Sequence, residues 1–309
     1  MNCSSENKPL TVVIPVYNRG NLVVRTLDSV ARQDVSLFNL VVVDNNSTDN
    51  SEAVIRKWMA DHPEVSALFV SETYQSASAA RNRGLAEVCT PWVMFFDSDD
   101  IMLPGHVSSA VDVAKSNPDA DIVGWDVSVP LYNGSTRLMR FPYSEFMKNH
   151  IVHGSLSTLR YMVRTSFIRN AGEWNRSVRK WDDYELGVRL LSACPKVAVR
   201  KGEPLVKIHF TADSITGTSF TAGAGEWERA LDEIERTLKQ YSPEMTDWIT
   251  YRRADLASEY RKEGSPELAA GLLDKAKANA DRKWLAPLIY NLKKIFPRGV
   301  WHVADLVIR

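Results

Sequence analysis

Apolar residues in the first hundred positions fall in unbroken runs separated by amphipathic stretches. That rhythm predicts buried strands alternating with helices. Leu10 to Val16 (LTVVIPV) and Phe38 to Val43 (FNLVVV) are runs rich in β-branched residues, without polar alternation, as expected of strands covered on both faces. Pro15 should end or bend the first of them. Val65 to Val70 and Trp92 to Phe96 read as a third and a fourth strand. Asn21 to Arg32 carries Leu22, Val23, Leu27 and Val30 at helical spacing, and further helices are predicted over Asn50 to Ala60, Ala77 to Val88 and Gly105 to Lys115. The fold class is therefore α/β, a mostly parallel sheet with helices on both faces. Right-handed crossovers gather the strand-to-helix loops at one sheet edge.

Polar residues concentrate in those loops. The first holds Tyr17-Asn18-Arg19, the second Asp44-Asn45-Asn46-Ser47-Thr48-Asp49, and the fourth Asp97-Ser98-Asp99-Asp100; Arg81-Asn82 lies in the helix before strand four. Convergence at the carboxyl edge of an open sheet suits a polyanionic ligand. Three carboxylates within four residues repel one another and call for a cation or a basic partner. Hard divalent ions take carboxylate oxygens and share further positions with phosphates. The other reading of Asp99 or Asp100 is a cap on a helix starting near Pro104. Asp49 reads as a helix cap, and Arg83 as a solvated charge.

Beyond Pro130 the alternation weakens. Tyr132-Asn133-Gly134 signals a hairpin or an excursion over Leu131 to Phe141, and Ser157 to Val163, Val197 to Val199 and Leu205 to Ile208 read as short strands. Asp182 to Ser192 is predicted helical, with Asp182 and Asp183 opening it, so capping is one role open to that pair. A polar loop, Thr211 to Gly225, precedes a region expected to be all-helical, with a stripe of Trp227, Leu231, Ile234 and Leu238. Helices over Thr246 to Lys262 and Pro266 to Ala278, joined by Glu263-Gly264-Ser265, form a helical hairpin.

Composition narrows the class. The 309 residues balance 38 basic against 38 acidic side chains, which argues against a nucleic-acid binder. Cys3, Cys89 and Cys194 show neither metal-ligand spacing nor a disulfide framework, as expected in a reducing cytosol. Met1 to Pro9 lacks an apolar core, so no signal peptide is expected. No stretch approaches the roughly 20 apolar residues of a membrane span.

Six segments in order are similar to the family 2 glycosyltransferases, which have the GT-A fold. They are TVVIPVYNRG (Thr11 to Gly20), VVVDNNSTDNS (Val41 to Ser51), ARNRGL (Ala80 to Leu85), FFDSDD (Phe95 to Asp100), WDDYELGVRLL (Trp181 to Leu191) and IHFTADSIT (Ile208 to Thr216). The resemblance implies an inverting, metal-dependent transfer of a sugar from a nucleoside-diphosphate donor, UDP- or dTDP-type, to a saccharide or lipid-linked saccharide acceptor. It implies a catalytic domain over 1–220 and a helical region over 221–309. Pro15, Tyr17, Asn18, Asp44, Asn45, Arg81, Asp97, Ser98 and Asp99 then line the nucleotide sugar. Asn45 stands where relatives more often carry a second Asp, which loosens the assignment of the base as uracil. Asp97-Ser98-Asp99 matches the DXD motif, with Asp99, and His209 if it is not structural, as ligands of Mg²⁺ or Mn²⁺. Asp183, the second acid of its pair, becomes the general base, Asp182 a supporting residue and Glu185 a structural acid. The polar loop from Thr211 to Phe220 could close over bound donor.

Two other classes compete: a nucleotide-sugar-binding module without catalysis, and a nucleotidyltransferase. The latter prefers a Gly-rich first phosphate loop, whereas this one has the single Gly20. The tail from Trp284 to Arg309 mixes apolar and aromatic residues with Lys293, Lys294 and Arg298. It suits a helix lying on an anionic membrane, or a helix packed on its own domain. The expected location is cytoplasmic, at the inner membrane face if the first reading holds, with surface-polysaccharide assembly as the setting.

Overall fold

A computed structural model describes residues 8–131, 134–209, 219–296 and 299–308. Readings that fell on Cys3, on Tyr132 and Asn133, on Arg298 and on most of the Thr211 to Phe220 loop lie outside the described residues.

The elements in chain order are β1 (Leu10–Val16), α1 (Val23–Ala31), β2 (Phe38–Asp44), α2 (Ser51–Asp61), β3 (Ala67–Ser71), α3 (Ala77–Ala86), β4 (Trp92–Phe95), β5 (Ile101–Met102) and α4 (His106–Ser116). Next come β6 (Ile122–Trp125), β7 (Val127–Pro130), β8 (Thr136–Met139), α5 (Phe146–His153), β9 (Tyr161–Arg164), α6 (Thr165–Asn170), α7 (Asp182–Ser192), β10 (Val197–Arg200) and β11 (Val206–Lys207). Five helices end the chain: α8 (Ala224–Tyr241), α9 (Thr246–Lys262), α10 (Pro266–Asn279), α11 (Leu285–Ile295) and α12 (Val300–Val307).

Contacts divide the chain into two units. The first comprises 1–143, 156–179 and 193–211; the second comprises 144–155, 180–192 and 212–309. This differs from a cut at residue 220, because α5 and α7 belong with the C-terminal helices. The apolar faces of the two helices explain it: Ile151, Tyr184 and Val188 are buried in one cluster with Trp227, Leu231 and Ile234 of α8.

In the first unit a seven-stranded sheet runs β10-β6-β9-β4-β1-β2-β3. It is parallel except for β9, which is antiparallel to both β4 and β6. A smaller sheet runs β5-β11-β7-β8, and β7 with β8 forms the expected hairpin. The unbroken apolar runs predicted burial on both faces, and Leu10, Val12, Val13, Ile14 and Leu40 to Val43 are fully buried. Gly84 lets α3 approach the sheet closely: a Cβ there would stand 2.3 Å from Val13 Cγ1. Pro15 does not end β1, which continues to Val16 in register with β2. The β4 partner runs out at Val13, so the missing N–H of Pro15 removes no ladder bond on that side.

Strand order reverses between β1 and β4. The loops after these strands therefore diverge around a crevice at the carboxyl edge, where open α/β sheets bind ligands.

Candidate active site

Tyr17 to Gly20 leaves β1 level with Asp44, the register partner of Val16. Asn18 adopts the left-handed conformation at φ 49°, which Asn tolerates better than most residues. Its N–H donates to Ser47 Oγ at 3.0 Å, and its Oδ1 accepts from the Thr48 N–H at 2.8 Å. Asn18 thus holds the turn. The Arg19 N–H donates to Ser51 Oγ at 2.9 Å and the Gly20 N–H to Asp49 Oδ2 at 3.0 Å. Gly20 is required by proximity, since a Cβ would meet Asn50 Oδ1 at 2.0 Å. Asp49 also accepts from the Ser51 N–H at 2.9 Å, so it ties both loops to the start of α2. Burial works to raise its pKa, but the hydrogen bonds from Ser51 and Gly20 prevail and hold it low. Tyr17 is left exposed beside this junction.

Asp44 is buried. Its Oδ2 accepts from the Ser47 N–H at 3.2 Å, whereas its Oδ1 has no hydrogen-bond donor among the described residues. A buried acceptor left unpaired costs about 1–3 kcal/mol, so this oxygen invites a ligand's N–H or O–H. Asn45 differs. Its Nδ2 donates to the carbonyls of Glu72 (3.2 Å) and Tyr74 (2.9 Å), and its Oδ1 accepts from the Ser76 N–H at 2.9 Å. An ionised Asp has no donor for those carbonyls, so Asn at this position closes the loop between β3 and α3.

The acidic turn follows β4. Arg81 Nη2 donates to Asp97 Oδ1 at 3.1 Å, and the guanidinium lies 4.4 Å from the ring centroid of Trp174. Asn82 fixes that tryptophan through a reciprocal pair: its Nδ2 donates to the Trp174 carbonyl at 2.8 Å and its Oδ1 accepts the Trp174 N–H at 2.9 Å. Arg83 makes an i,i+4 ion pair with Glu87. From the other side α1 grips the turn. Arg25 Nη2 donates to the Asp99 carbonyl at 2.7 Å, and Thr26 Oγ1 lies 2.9 and 2.8 Å from the carbonyls of Ser98 and Asp100. Ser29 Oγ accepts from the Met102 N–H at 3.0 Å. None of these α1 contacts was read from the sequence. The available signal was the presence of Thr26 and Ser29 among the apolar positions Leu27 and Val30.

Electrostatics separate the acids. Burial, then repulsion from Asp97, raises the pKa of Asp99, while Arg19 opposes the rise from 3.9 Å. The same two causes push Asp100 up to about 8. Asp100 is not a helix cap: α4 begins after Gly105 without a side-chain cap, and Asp100 Oδ1 instead accepts the His209 N–H at 2.7 Å. Burial, then Arg25 and Lys207, lowers the pKa of the His209 ring, and its buried Nδ1 has no hydrogen-bond partner among the described residues. Among the described residues no three His, Cys, Asp or Glu side chains gather as a metal site. Asp99 is the acid of the turn that a cation could share with oxygens of phosphate and water.

In the second unit, Asp182 and Asp183 open α7. The Asp183 N–H donates to Asp182 Oδ1 at 3.0 Å and the Tyr184 N–H to Asp183 Oδ1 at 2.8 Å. Both carboxylates thus serve first-turn N–H groups. Trp181, just before them, is held at φ 56°, a conformation unusual for a bulky residue. Glu185 is buried and accepts two hydrogen bonds from Arg189, at 2.7 and 2.8 Å, which makes it a structural acid.

A mostly parallel sheet with an acidic turn at its switch point, and a buried Asp44 oxygen without a donor among the described residues, make up an arrangement of the GT-A type. The model of the family described as "Glycosyl transferase family 2" matches residues 11–171, just over half of the 309, and the chain belongs to that family. A Campylobacter jejuni GalNAc(5)-diNAcBac-PP-undecaprenol beta-1,3-glucosyltransferase is 29% identical over 107 residues, 34% of each protein. An uncharacterized glycosyltransferase of Haemophilus influenzae is 24% identical over 73% of this chain and 75% of its own. The chain thus spans about a third of some curated relatives it matches. Among solved structures, S. aureus TarS 1-349 in complex with UDP-GlcNAc superposes with a TM-score of 0.68 at 15% identity, over 91% of this chain and 86% of that one. The mannosyltransferase PcManGT of Pyrobaculum calidifontis, in complex with GDP-Man and Mn²⁺, gives 0.59 at 16% identity, over 99% and 85%. Among the described residues no helix is long and apolar enough to cross a membrane.

Proposed function

We propose that the protein is an inverting glycosyltransferase that moves a sugar from a nucleoside-diphosphate donor to a hydroxyl of a saccharide or lipid-linked acceptor. The observation that carries this reading is the acidic turn, where Asp99 resists ionisation because it is buried beside Asp97. Such a pair is relieved by a cation or by the basic groups around it. Asp99, with His209 Nδ1 as a further donor, would hold Mg²⁺ or Mn²⁺, and Asp97 stays with Arg81. A divalent cation there supplies neutralisation of the diphosphate as it leaves. Asp44 Oδ1 accepts an N–H of the base or a ribose hydroxyl, and exposed Tyr17 offers it a ring face. Asp183 takes the proton of the acceptor hydroxyl as that oxygen bonds to the anomeric carbon. The bond from that carbon to the diphosphate breaks, inverting the centre. Bound UDP-GlcNAc in one fold neighbour and GDP-Man with Mn²⁺ in another support the donor class.

The test is nucleoside-diphosphate release across a panel of nucleotide sugars, with Mn²⁺ and with EDTA. In a folded protein Asp99→Ala should abolish transfer, and Asp183→Asn should leave only a small residual rate. Full activity of Asp183→Asn would remove the base, and full activity in EDTA would remove the cation.

The same reading extends to where the enzyme works. α11 and α12 bury Leu285, Ile289, Val300 and Ala304 but expose Ile295, Phe296, Val303 and Leu306, near Lys294. One face is packed while the other suits an anionic lipid surface on the cytoplasmic side, as a lipid-linked acceptor would require. Flotation with anionic vesicles should be lost in the Phe296→Glu, Leu306→Glu variant; equal flotation would remove the membrane from the proposal.

A further inference from the structure

The first turn of α7 is held from behind by one guanidinium. Arg252 of α9 places its Cζ 4.9 Å from the ring centroid of Trp181 and 5.3 Å from that of Tyr184, the residues flanking Asp182-Asp183. Tyr184 is itself tied down, because its hydroxyl donates to the Ile151 carbonyl at 2.6 Å. Arg252 is itself aimed: Nη1 donates to Asp255 Oδ2 at 2.8 Å, and the other oxygen of Asp255 is bound by Lys293 of α11. The Trp181 ring is boxed in further by Trp227, at a centroid distance of 4.8 Å, and by Phe220 at 6.4 Å.

A helix start needs none of this. Glycine or asparagine would take the left-handed backbone without strain, yet a tryptophan holds φ 56° there. Such strain persists only where the surroundings over-determine it, and here they do so at the residue before the acid pair. We propose that Arg252 is a positioning residue for Asp183, setting the carboxylate's direction by clamping Trp181 and Tyr184, and that Asp255 and Lys293 fix the clamp. The inference rests on Asp183 being the base. Planarity explains the choice of Arg: a guanidinium can face two rings and bond a carboxylate at once, which an ammonium cannot.

The test is a double-mutant cycle with Arg252→Met, Arg252→Lys and Asp183→Asn, read as nucleoside-diphosphate release under saturating donor. A misaimed catalytic group costs about 10²-fold in rate. Arg252→Met should lower kcat by that order with donor KM within about threefold, and Arg252→Lys should stay low, because charge without a planar fork does not restore the clamp. On the Asp183→Asn background, Arg252→Met should cost nothing further, as residues acting as one unit are non-additive. An unchanged kcat, or the same loss on both backgrounds, overturns the assignment. Retained activity in Asp183→Asn alone removes the base and overturns the positioning role with it, an outcome distinct from an unchanged kcat in Arg252→Met. If Arg252→Met does not fold, Asp255→Asn, which leaves the guanidinium in place but unaimed, carries the same cycle.

Discussion

Arg81 donates to Asp97 at 3.1 Å while its guanidinium rests against Trp174. The pair neutralises one acid of the turn, whereas burial and repulsion from Asp97 raise the pKa of Asp99 and Asp100. Charge-assisted hydrogen bonds contribute about 1.5–3 kcal/mol, and the Asp97 side chain is a third exposed, so the lower figure applies. Arg81→Lys keeps the charge but loses the fork and the stack. Donor affinity, measured by calorimetry with the nucleoside diphosphate, should fall about tenfold, which is about 1.4 kcal/mol. Affinity equal to wild type would show that Arg81 serves only the fold.

How much of this could be read from the sequence follows from range. β1 and β2 were legible because an unbroken apolar run determines burial locally, and the loops they feed were legible because their polar residues are contiguous. Asn45 reads locally as a nucleotide contact that loosens the base assignment, and nothing local reveals the carbonyls of Glu72 and Tyr74 to which it donates. Asp100 looked like a cap because its partner, the His209 N–H, lies 109 positions away. β6 was overlooked: four residues interrupted by Gly124 carry little pattern, and that glycine answers to the Phe141 ring, which a Cβ would meet at 2.2 Å. The helix over Asp182 to Ser192 was legible, but nothing local says which unit buries its Tyr184 and Val188.

Close packing of α3 gives a second test. A Cβ at Gly84 would lie 2.3 Å from Val13 Cγ1 and 3.0 Å from Val43 Cγ2. Alanine favours a helix over glycine by about 1 kcal/mol, but overpacking costs about 1–3 kcal/mol. Gly84→Ala should therefore be destabilised on balance, seen as a lower urea midpoint with an unchanged slope. Because α3 also carries Arg81, activity should fall with it. A stabilised variant would mean the sheet yields easily under α3.

His106 supplies a pH dependence. It is fully buried, packs edge-to-face on Trp125 at 4.7 Å, and neither ring nitrogen has a hydrogen-bond partner among the described residues. Burial, helped by Arg200, pushes its pKa from 6.5 down to about 3. Between those values the unfolded chain binds a proton that the native protein refuses, so this contribution is complete above pH 6.5 and is lost as pH falls. His106→Phe removes that proton. Wild-type stability should fall faster than the variant's by about 1.4 kcal/mol per pH unit below pH 6.5. Urea unfolding at pH 7, 6 and 5 checks it; parallel curves would mean that the native ring accepts the proton.

The grip of α1 on the acidic turn includes one buried hydroxyl. Thr26 is fully buried, and its Oγ1 faces the carbonyls of Ser98 and Asp100. Thr26→Val preserves shape and removes only the donor, leaving buried acceptors without it, at about 1–3 kcal/mol. Thr26→Ser keeps the donor and loses a methyl group, about 0.8 kcal/mol. If the hydroxyl sets the turn, the Ser variant should keep donor KM near wild type, whereas the Val variant should raise it severalfold despite its better packing. The opposite order, with Val the more active, would show that packing of α1 holds the acids in place. The comparison is sharp because the two variants delete opposite halves of one side chain.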